Sequence, residues 1–365
     1  MIKTTLSFFF IFTLFINVFS QEVIDVDFET NLNLIYENNE NVAEFSNKTK
    51  ESAEGKDIFK WSVSGGEEGK NWKFSNGSAA ADKDVSIQFI SVGNYSISLS
   101  CKNKTTKGKG KMKKKNFISV VGKYPKLAQL YVEDNHKKLV KSAEKYTLNE
   151  KLKSDPIPYV WFSRGLYKIY TSGDNDAAFQ NAFNDSYGAL SKAIKADVNG
   201  AIQNDTELDN YVNTFKLEYI QSNIDAHIEI INAELQNDKK SQNKTKMDKS
   251  LSKLNGFAKK YLKISNNKIG GQLLQMATFY QLKNSQSAKE IWKTLEGDLK
   301  SLEYNEDYSE ADLLMMKYGS MFLCRYWKSV NNVENSCFVL KKTNEFLSDE
   351  EDFFDFYVEE FDACE

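Results

Sequence analysis

Histidine occurs only twice in the 365 residues, proline three times and arginine twice, at Arg164 and Arg325. Two histidines, His136 and His227, are too few for a His-rich metal centre and leave little material for a His-dependent catalytic triad. The chain has no Gly-x-Ser-x-Gly elbow, no Walker A loop and no Gly-x-Gly-x-x-Gly fingerprint, so it indicates no cofactor and no reaction class. The four cysteines, Cys101, Cys324, Cys337 and Cys364, match no zinc spacing. Two readings stay open for them: a disulfide, with Cys324 and Cys337 on neighbouring helices as the candidate pair, or buried thiols. The formal net charge is only −3, which gives no bulk attraction to nucleic acid, and none is expected as a partner.

Long apolar runs are also missing, except at the start. Lys3 is followed by an apolar stretch from Leu6 to Val18 and by Val18-Phe19-Ser20 before Gln21. That order of positive, apolar and small-residue regions marks residues 1–20 as a cleavable secretory signal peptide. The run falls short of the roughly 20 residues a spanning helix needs. The expectation is therefore export, to the periplasm, the cell surface or the outside, with no transmembrane segment in the mature chain.

Charge is unevenly placed. Eight lysines lie between Lys102 and Lys115 with no acid among them, and nine acids lie between Asp349 and Glu365 with no base. Lys107, Lys109, Lys111, Lys113 and Lys115 alternate, so on a strand they share one face. They read either as a guard on an exposed sheet edge or as a patch for acidic polysaccharide, lipopolysaccharide or an acidic partner. In the acidic tail, Phe353, Phe354, Tyr357, Val358 and Phe361 fit a terminal helix that caps the fold or docks a partner. Glu350-Glu351-Asp352 reads as a solvated cap.

Hydrophobic patterning changes near residue 123. Before it, apolar residues alternate in Ile58–Val63, Val85–Phe89, Tyr95–Cys101 and Phe117–Val121, separated by Ser64-Gly65-Gly66, Asn76-Gly77 and Gly93-Asn94. This spacing suggests a β-sandwich. Phe59-Lys60-Trp61-Ser62-Val63-Ser64-Gly65-Gly66, then Val85–Phe89 and Gly93-Asn94-Tyr95-Ser96-Ile97-Ser98-Leu99, resemble the Trp strand and the Gly-x-Tyr strand of a PKD domain. The resemblance implies an immunoglobulin-like spacer or adhesion module over about residues 55–122. It carries no catalytic residues, and residues 21–54 remain a strand or linker segment before it.

After residue 123 apolar residues recur at helical spacing, beginning with a helix over about 126–146 and including a long one over about 207–235. Helices over 157–170, 273–282 and 313–327 are apolar nearly all round, and each is followed by one with a single apolar stripe. That alternation reads as stacked helix hairpins with inner and outer helices. Trp161-x-x-x-Gly165 and Met315-x-x-x-Gly319, with Ala277 as the small residue of the intervening helix, resemble a tetratricopeptide repeat. Residues 123–365 are therefore expected to form an all-α helical-hairpin array.

A small all-β sandwich followed by an all-α array, in an order that resembles secreted proteins of Bacteroidetes-type bacteria, points to a non-enzymatic interaction protein. Its partner would be a protein or an envelope polysaccharide, bound through a concave groove of the helical array, with the sandwich as spacer or accessory contact. Arg164 and Arg325, kept in a lysine-rich chain on helices that read as buried, either pair with an acid of an adjacent helix or serve as candidate binding anchors, since a guanidinium stacks and donates in ways lysine cannot. The alternative is a carbohydrate-active or other hydrolase hidden in the helical part, which would need a deep pocket with converging carboxylates.

Overall fold

The structure is a computed structural model that describes residues 23–37, 42–50, 57–237, 240–304, 308–361 and 364. The proposed signal peptide, residues 1–20, lies outside the described residues. The chain divides into two compact units between Ile118 and Ser119.

The first unit is built of β1 (Phe28–Thr30), β2 (Leu34–Tyr36), β3 (Val42–Asn47), β4 (Asp57–Ser64), β5 (Trp72–Ser75), β6 (Val85–Phe89), β7 (Gly93–Asn103) and β8 (Lys109–Val121), the last of which runs across the boundary. Two four-stranded sheets form, in the orders β1-β3-β6-β5 and β2-β8-β7-β4. The alternation seen in the sequence sorts each strand into two faces. Phe59 and Trp61 of β4, Val85, Ile87 and Phe89 of β6, and Tyr95, Ile97, Leu99 and Cys101 of β7 are all buried. The sheets face each other through aromatic pairs: Phe28 lies 5.2 Å and Phe45 5.9 Å from Trp61, and Phe89 lies 4.9 Å from Tyr95. The polar atoms of two buried aromatic residues in this core find partners. The Trp61 indole donates to the Asp82 carbonyl at 3.1 Å, and the Tyr95 hydroxyl donates to the Ser91 carbonyl at 2.6 Å.

The segment 21–54 is not a leader to this unit. It supplies β1 and β3 to one sheet and β2 to the other, and Phe28, Ile35, Ala43 and Phe45 are each 0–1% exposed. The two-sheet unit therefore begins well before residue 55. Two of these strands are three residues long, too short to show alternation in sequence.

The second unit is helical: α1 (Pro125–Val132), α2 (His136–Thr147), α3 (Ile157–Thr171), α4 (Ala182–Ala196), α5 (Thr206–Ile220), α6 (Ala226–Gln236), α7 (Lys244–Tyr261), α8 (Ile269–Gln281), α9 (Ser285–Lys300), α10 (Glu310–Ser329), α11 (Val333–Leu347) and α12 (Glu351–Phe361). The helix expected over 126–146 is broken between α1 and α2, where Asp134 takes φ +53°. The long helix expected over 207–235 carries one π-helical turn, Gln221–Asp225, between α5 and α6. None of the described helices is long and apolar enough to cross a membrane.

Inner and outer helices separate as their patterns require. α3 packs between α2 and α4, α8 against α7, α9 and α10, and α10 against α8, α11 and α5. α8 and α10 meet backbone to backbone. A Cβ added at Gly319 would lie 2.7 Å from the Gly270 carbonyl oxygen and 2.8 Å from the Leu274 nitrogen, and one at Gly270 would lie 2.5 Å from the Met316 nitrogen. The small residue that α8 offers to this contact is Gly270, not Ala277.

α12 closes the C-terminal end by packing on α11 and α10. Its buried side chains are Phe353 and Phe356, whereas Phe354 and Val358 are about half exposed. The seam thus runs through 353, 356 and Glu360, which pairs with Lys328 at 2.6 Å. Glu350 and Asp352 both reach Lys317 Nζ at 3.0 Å. Cys337 of α11 is joined in a disulfide to Cys364, not to Cys324. Cys324 faces the α10–α11 contact, donates to the Ser336 carbonyl at 3.6 Å, and has its thiol pushed up to about 12 by burial.

The close approach of α8 and α10 can be tested by adding one methyl group. Gly319→Ala is expected to cost about 1–3 kcal/mol, because the atoms it meets are largely backbone and cannot swing aside. Gly256→Ala and Gly297→Ala, where an added Cβ meets nothing within 4 Å, should instead stabilise by about 0.5–1 kcal/mol through helix propensity alone. Urea unfolding of the three variants measures both signs.

Candidate functional site

Two places gather polar chemistry, one in each unit. The first is the solvent face of the sheet that contains β8. Lys109, Lys111, Lys113 and Lys115 are exposed along that strand, alternating with the less exposed Gly110, Met112 and Lys114. Lys114, on the other side, pairs with Asp27 at 3.0 Å and sits 4.7 Å from the Phe28 ring centroid. Lys107 precedes the strand in a turn, at φ +58°.

These lysines belong to a strand that lies between β2 and β7 in the sheet order, with β2 spanning three residues against the thirteen of β8. They stand on a broad face. The outward positions of β4 and β7 add Lys60, Ser62 and Ser64, and Ser96, Ser98, Ser100 and Lys102, in the register Lys60↔Ser100 and Ser62↔Ser98. No Asp or Glu occupies an outward position of β4, β7 or β8. Among the described residues, no carboxylate pairs with Lys109, Lys111, Lys113 or Lys115. Their stems stand about 7 Å apart along the strand. That is inside the Debye length at physiological salt, so their charges repel and a polyanion would relieve the repulsion.

The arginines are placed differently. Arg164 on α3 is 7% exposed. Its guanidinium lies 3.6 Å above the Tyr131 ring and 5.0 Å from the Trp161 ring, with Nη1 2.7 Å from Glu207 Oε1 of α5. The ion pair is close but not aligned as a hydrogen bond, and Nε has no acceptor. Stacking and charge hold this group, and both tie it to its own helices. Arg325 is exposed, against the expectation for its helix. It donates to Asn232 Oδ1 at 3.3 Å and lies 5.0 Å from the Phe356 ring, joining α6 to α12.

The second place is a pocket of about 880 Å³ in the helical unit, at the N-terminal end of α10. α5 presents Asp209, Val212, Asn213 and Lys216 to it, at spacings of three, four and seven that put them on one helix face. Ser309 caps α10 by accepting from the Asp312 N–H, a Ser-x-x-Asp cap that places both side chains on the pocket floor.

Lys216 and Asp312 form a buried ion pair, Nζ to Oδ2 at 2.7 Å, with side chains 5% and 10% exposed. Both oxygens of Asp312 accept, and the Ser265 hydroxyl also reaches the Asn267 carbonyl at 2.7 Å. Oδ1 accepts from the Tyr261 hydroxyl at 2.7 Å and from Ser265 at 2.9 Å, and Oδ2 also accepts from Ser309 at 2.7 Å. Burial by itself would push the Asp312 carboxyl up, but the Lys216 ammonium and these hydroxyl donors outweigh it and hold the group below its usual range. At the wall, burial raises the Asp209 carboxyl and lowers the Lys268 ammonium.

Neither Lys216 nor Asp312 was a candidate from sequence. The signal was there: Leu208, Tyr211, Val212, Phe215, Tyr219 and Ile220 make α5 apolar on the face that Lys216 interrupts. A lysine inside such a face needs a buried acid opposite it.

No protein-family model matches the chain, and no curated protein is similar to it. Among solved structures it is similar to a mutant of Salmonella alpha-2-macroglobulin, at 10% identity over 88% of this chain and 26% of that one, with a TM-score of 0.19. The chain thus spans about a quarter of that protein's length, and a likeness this slight carries no argument about fold or function.

The buried pair is testable by removing one partner. Asp312→Asn leaves the Lys216 charge uncompensated and should cost about 3–5 kcal/mol. Because the folded carboxyl titrates below its usual 3.8, the advantage of the parent is complete above that pH and is lost as pH falls through the lower folded value. Urea unfolding of parent and variant near neutrality and near pH 3 should therefore show a gap that narrows on acidification.

Proposed function

We propose that this chain is an exported, non-enzymatic interaction protein that holds acidic polysaccharide of the cell envelope on the lysine face of its two-sheet unit. The observation that carries the reading is the acid-free stripe of Lys109, Lys111, Lys113 and Lys115, extended by the outward Lys60 and Lys102 of the same sheet. Repeated cations on a rigid strand suit a polymer with repeated anions, and release of its counterions drives such binding.

Several features support a PKD-like module as the carrier. With strands relabelled in chain order as A, A′, B, C, D, E, F and G, the sheets read A-B-E-D and A′-G-F-C, the immunoglobulin arrangement. Trp61 then stands on strand C in the inter-sheet core. Tyr95 near the start of strand F, bonded back to Ser91, has the form of a tyrosine corner. For the helical unit, the close contact at Gly165, where an added Cβ would lie 2.9 Å from Val140, and the one at Gly319 support a tetratricopeptide-like stacking of hairpins. The Cys337–Cys364 disulfide suits an oxidising compartment and so supports export.

A hydrolase reading would draw on the carboxylates of the helical pocket. Asp312 is poorly suited to acid–base work, since four donors already occupy it.

The test is retention of the full-length chain on an acidic-polysaccharide matrix such as alginate, with neutral dextran as control. Replacement of Lys109, Lys111 and Lys113 by Ser should abolish retention while leaving the melting temperature unchanged. Retention of the parent should fall steeply with salt. Unchanged retention of the triple variant, or stronger retention of the parent on duplex DNA, would rule the reading out.

A further inference from the structure

The helical pocket mixes charges of both signs in one wall. Lys216 and Asp312 offset each other as a pair, and around them stand the Lys268 ammonium, which donates to the Leu262 and Ser265 carbonyls, and the Asp209 and Asp298 carboxylates. A ligand of either net charge would face like charge in a partly desolvated site, where repulsion is strong. A greasy ligand fares no better. Val212 and Ile269 are the aliphatic side chains of the lining, and covering the amides and charges around them without hydrogen bonds is costly.

One chemistry meets both signs at once. A hydroxyl donates to a carboxylate and accepts from an ammonium or an amide N–H. Asn213, which donates to Asp209 Oδ2 at 3.0 Å, fixes that carboxylate with Oδ1 left for a ligand. Tyr308, its ring 4.9 Å from that of Phe346 at a tilt of 45°, adds an aromatic ring to the lining. Aromatic faces of this kind accept the C–H side of a pyranose, an apolar body with polar edges. The volume of about 880 Å³ lies in the upper part of the range for small-molecule sites and exceeds the need of one ring.

We infer that this pocket binds a short, neutral oligosaccharide, with Asp209, Asn213 and Lys216 contacting its hydroxyls and Tyr308 its ring face. The Lys216–Asp312 pair fixes the floor before a ligand arrives, so binding need not order it. The inference stands apart from the lysine face.

Isothermal titration of the full-length chain with maltotriose, cellotriose, mannotriose and triacetylchitotriose tests it, alongside triglycine as a zwitterion and sodium sulfate as an anion. At least one trisaccharide should bind with unit stoichiometry at millimolar concentration. Asn213→Ala and Tyr308→Ala should each weaken it by about tenfold or more, with circular dichroism and melting temperature unchanged. If either loses its fold, Asp209→Asn, which keeps size and removes the charge, replaces it. The lysine triple variant should bind the trisaccharide as the parent does, which separates this site from the sheet face. No heat with any of the four trisaccharides, binding of triglycine or sulfate in their place, or trisaccharide binding that survives the pocket substitutions would overturn the inference.

Discussion

One carboxylate holds the helical unit together at its most polar point. Asp312, at the head of α10, receives Lys216 from α5, Tyr261 from the end of α7, Ser265 from the loop before α8, and Ser309 from its own cap. Each of these groups is buried or half-buried, and Asp312 is the acceptor that they share. Such a cluster fixes the relative register of three helices more sharply than apolar packing does, because hydrogen bonds have direction and apolar contacts tolerate sliding.

A second constraint acts in the same unit with the opposite chemistry. Gly270 and Gly319 let α8 and α10 touch along their backbones, so the pair is fixed by the absence of side chains. Close approach at the glycines and polar fixation at Asp312 both involve α10. That helix therefore carries the apolar stacking of the hairpins and the floor of the pocket.

In the two-sheet unit the governing rule is the period of two. It places Trp61, Phe89 and Tyr95 in a shared aromatic core and, on the same strands, leaves lysines and serines facing water. The basic face follows from that alternation and from where β8 sits. β8 lies between β2 and β7 in the sheet order, and the alternation sets its exposed lysines on one face.

The sequence by itself determined which segments alternate and which recur at helical spacing, and hence a β unit before a helical one. It also determined which lysines share a face, which helices lie innermost, and that Gly165 and Gly319 mark close contacts. These are local properties, legible because period and residue size act within a few residues. Tertiary structure decided the rest. It took three-residue strands such as β2 into the sheets and turned α12 so that Phe356, not Phe354, is buried. It paired Cys337 with Cys364 instead of Cys324, exposed Arg325 on a helix that is otherwise inward, and brought Lys216 opposite Asp312. Each depends on which distant segment arrives beside a residue, and in a single sequence the partner of a buried charge or thiol leaves no periodic trace. Only the folded chain supplies the burial that makes a lysine at one position and an aspartate far along the chain choose each other.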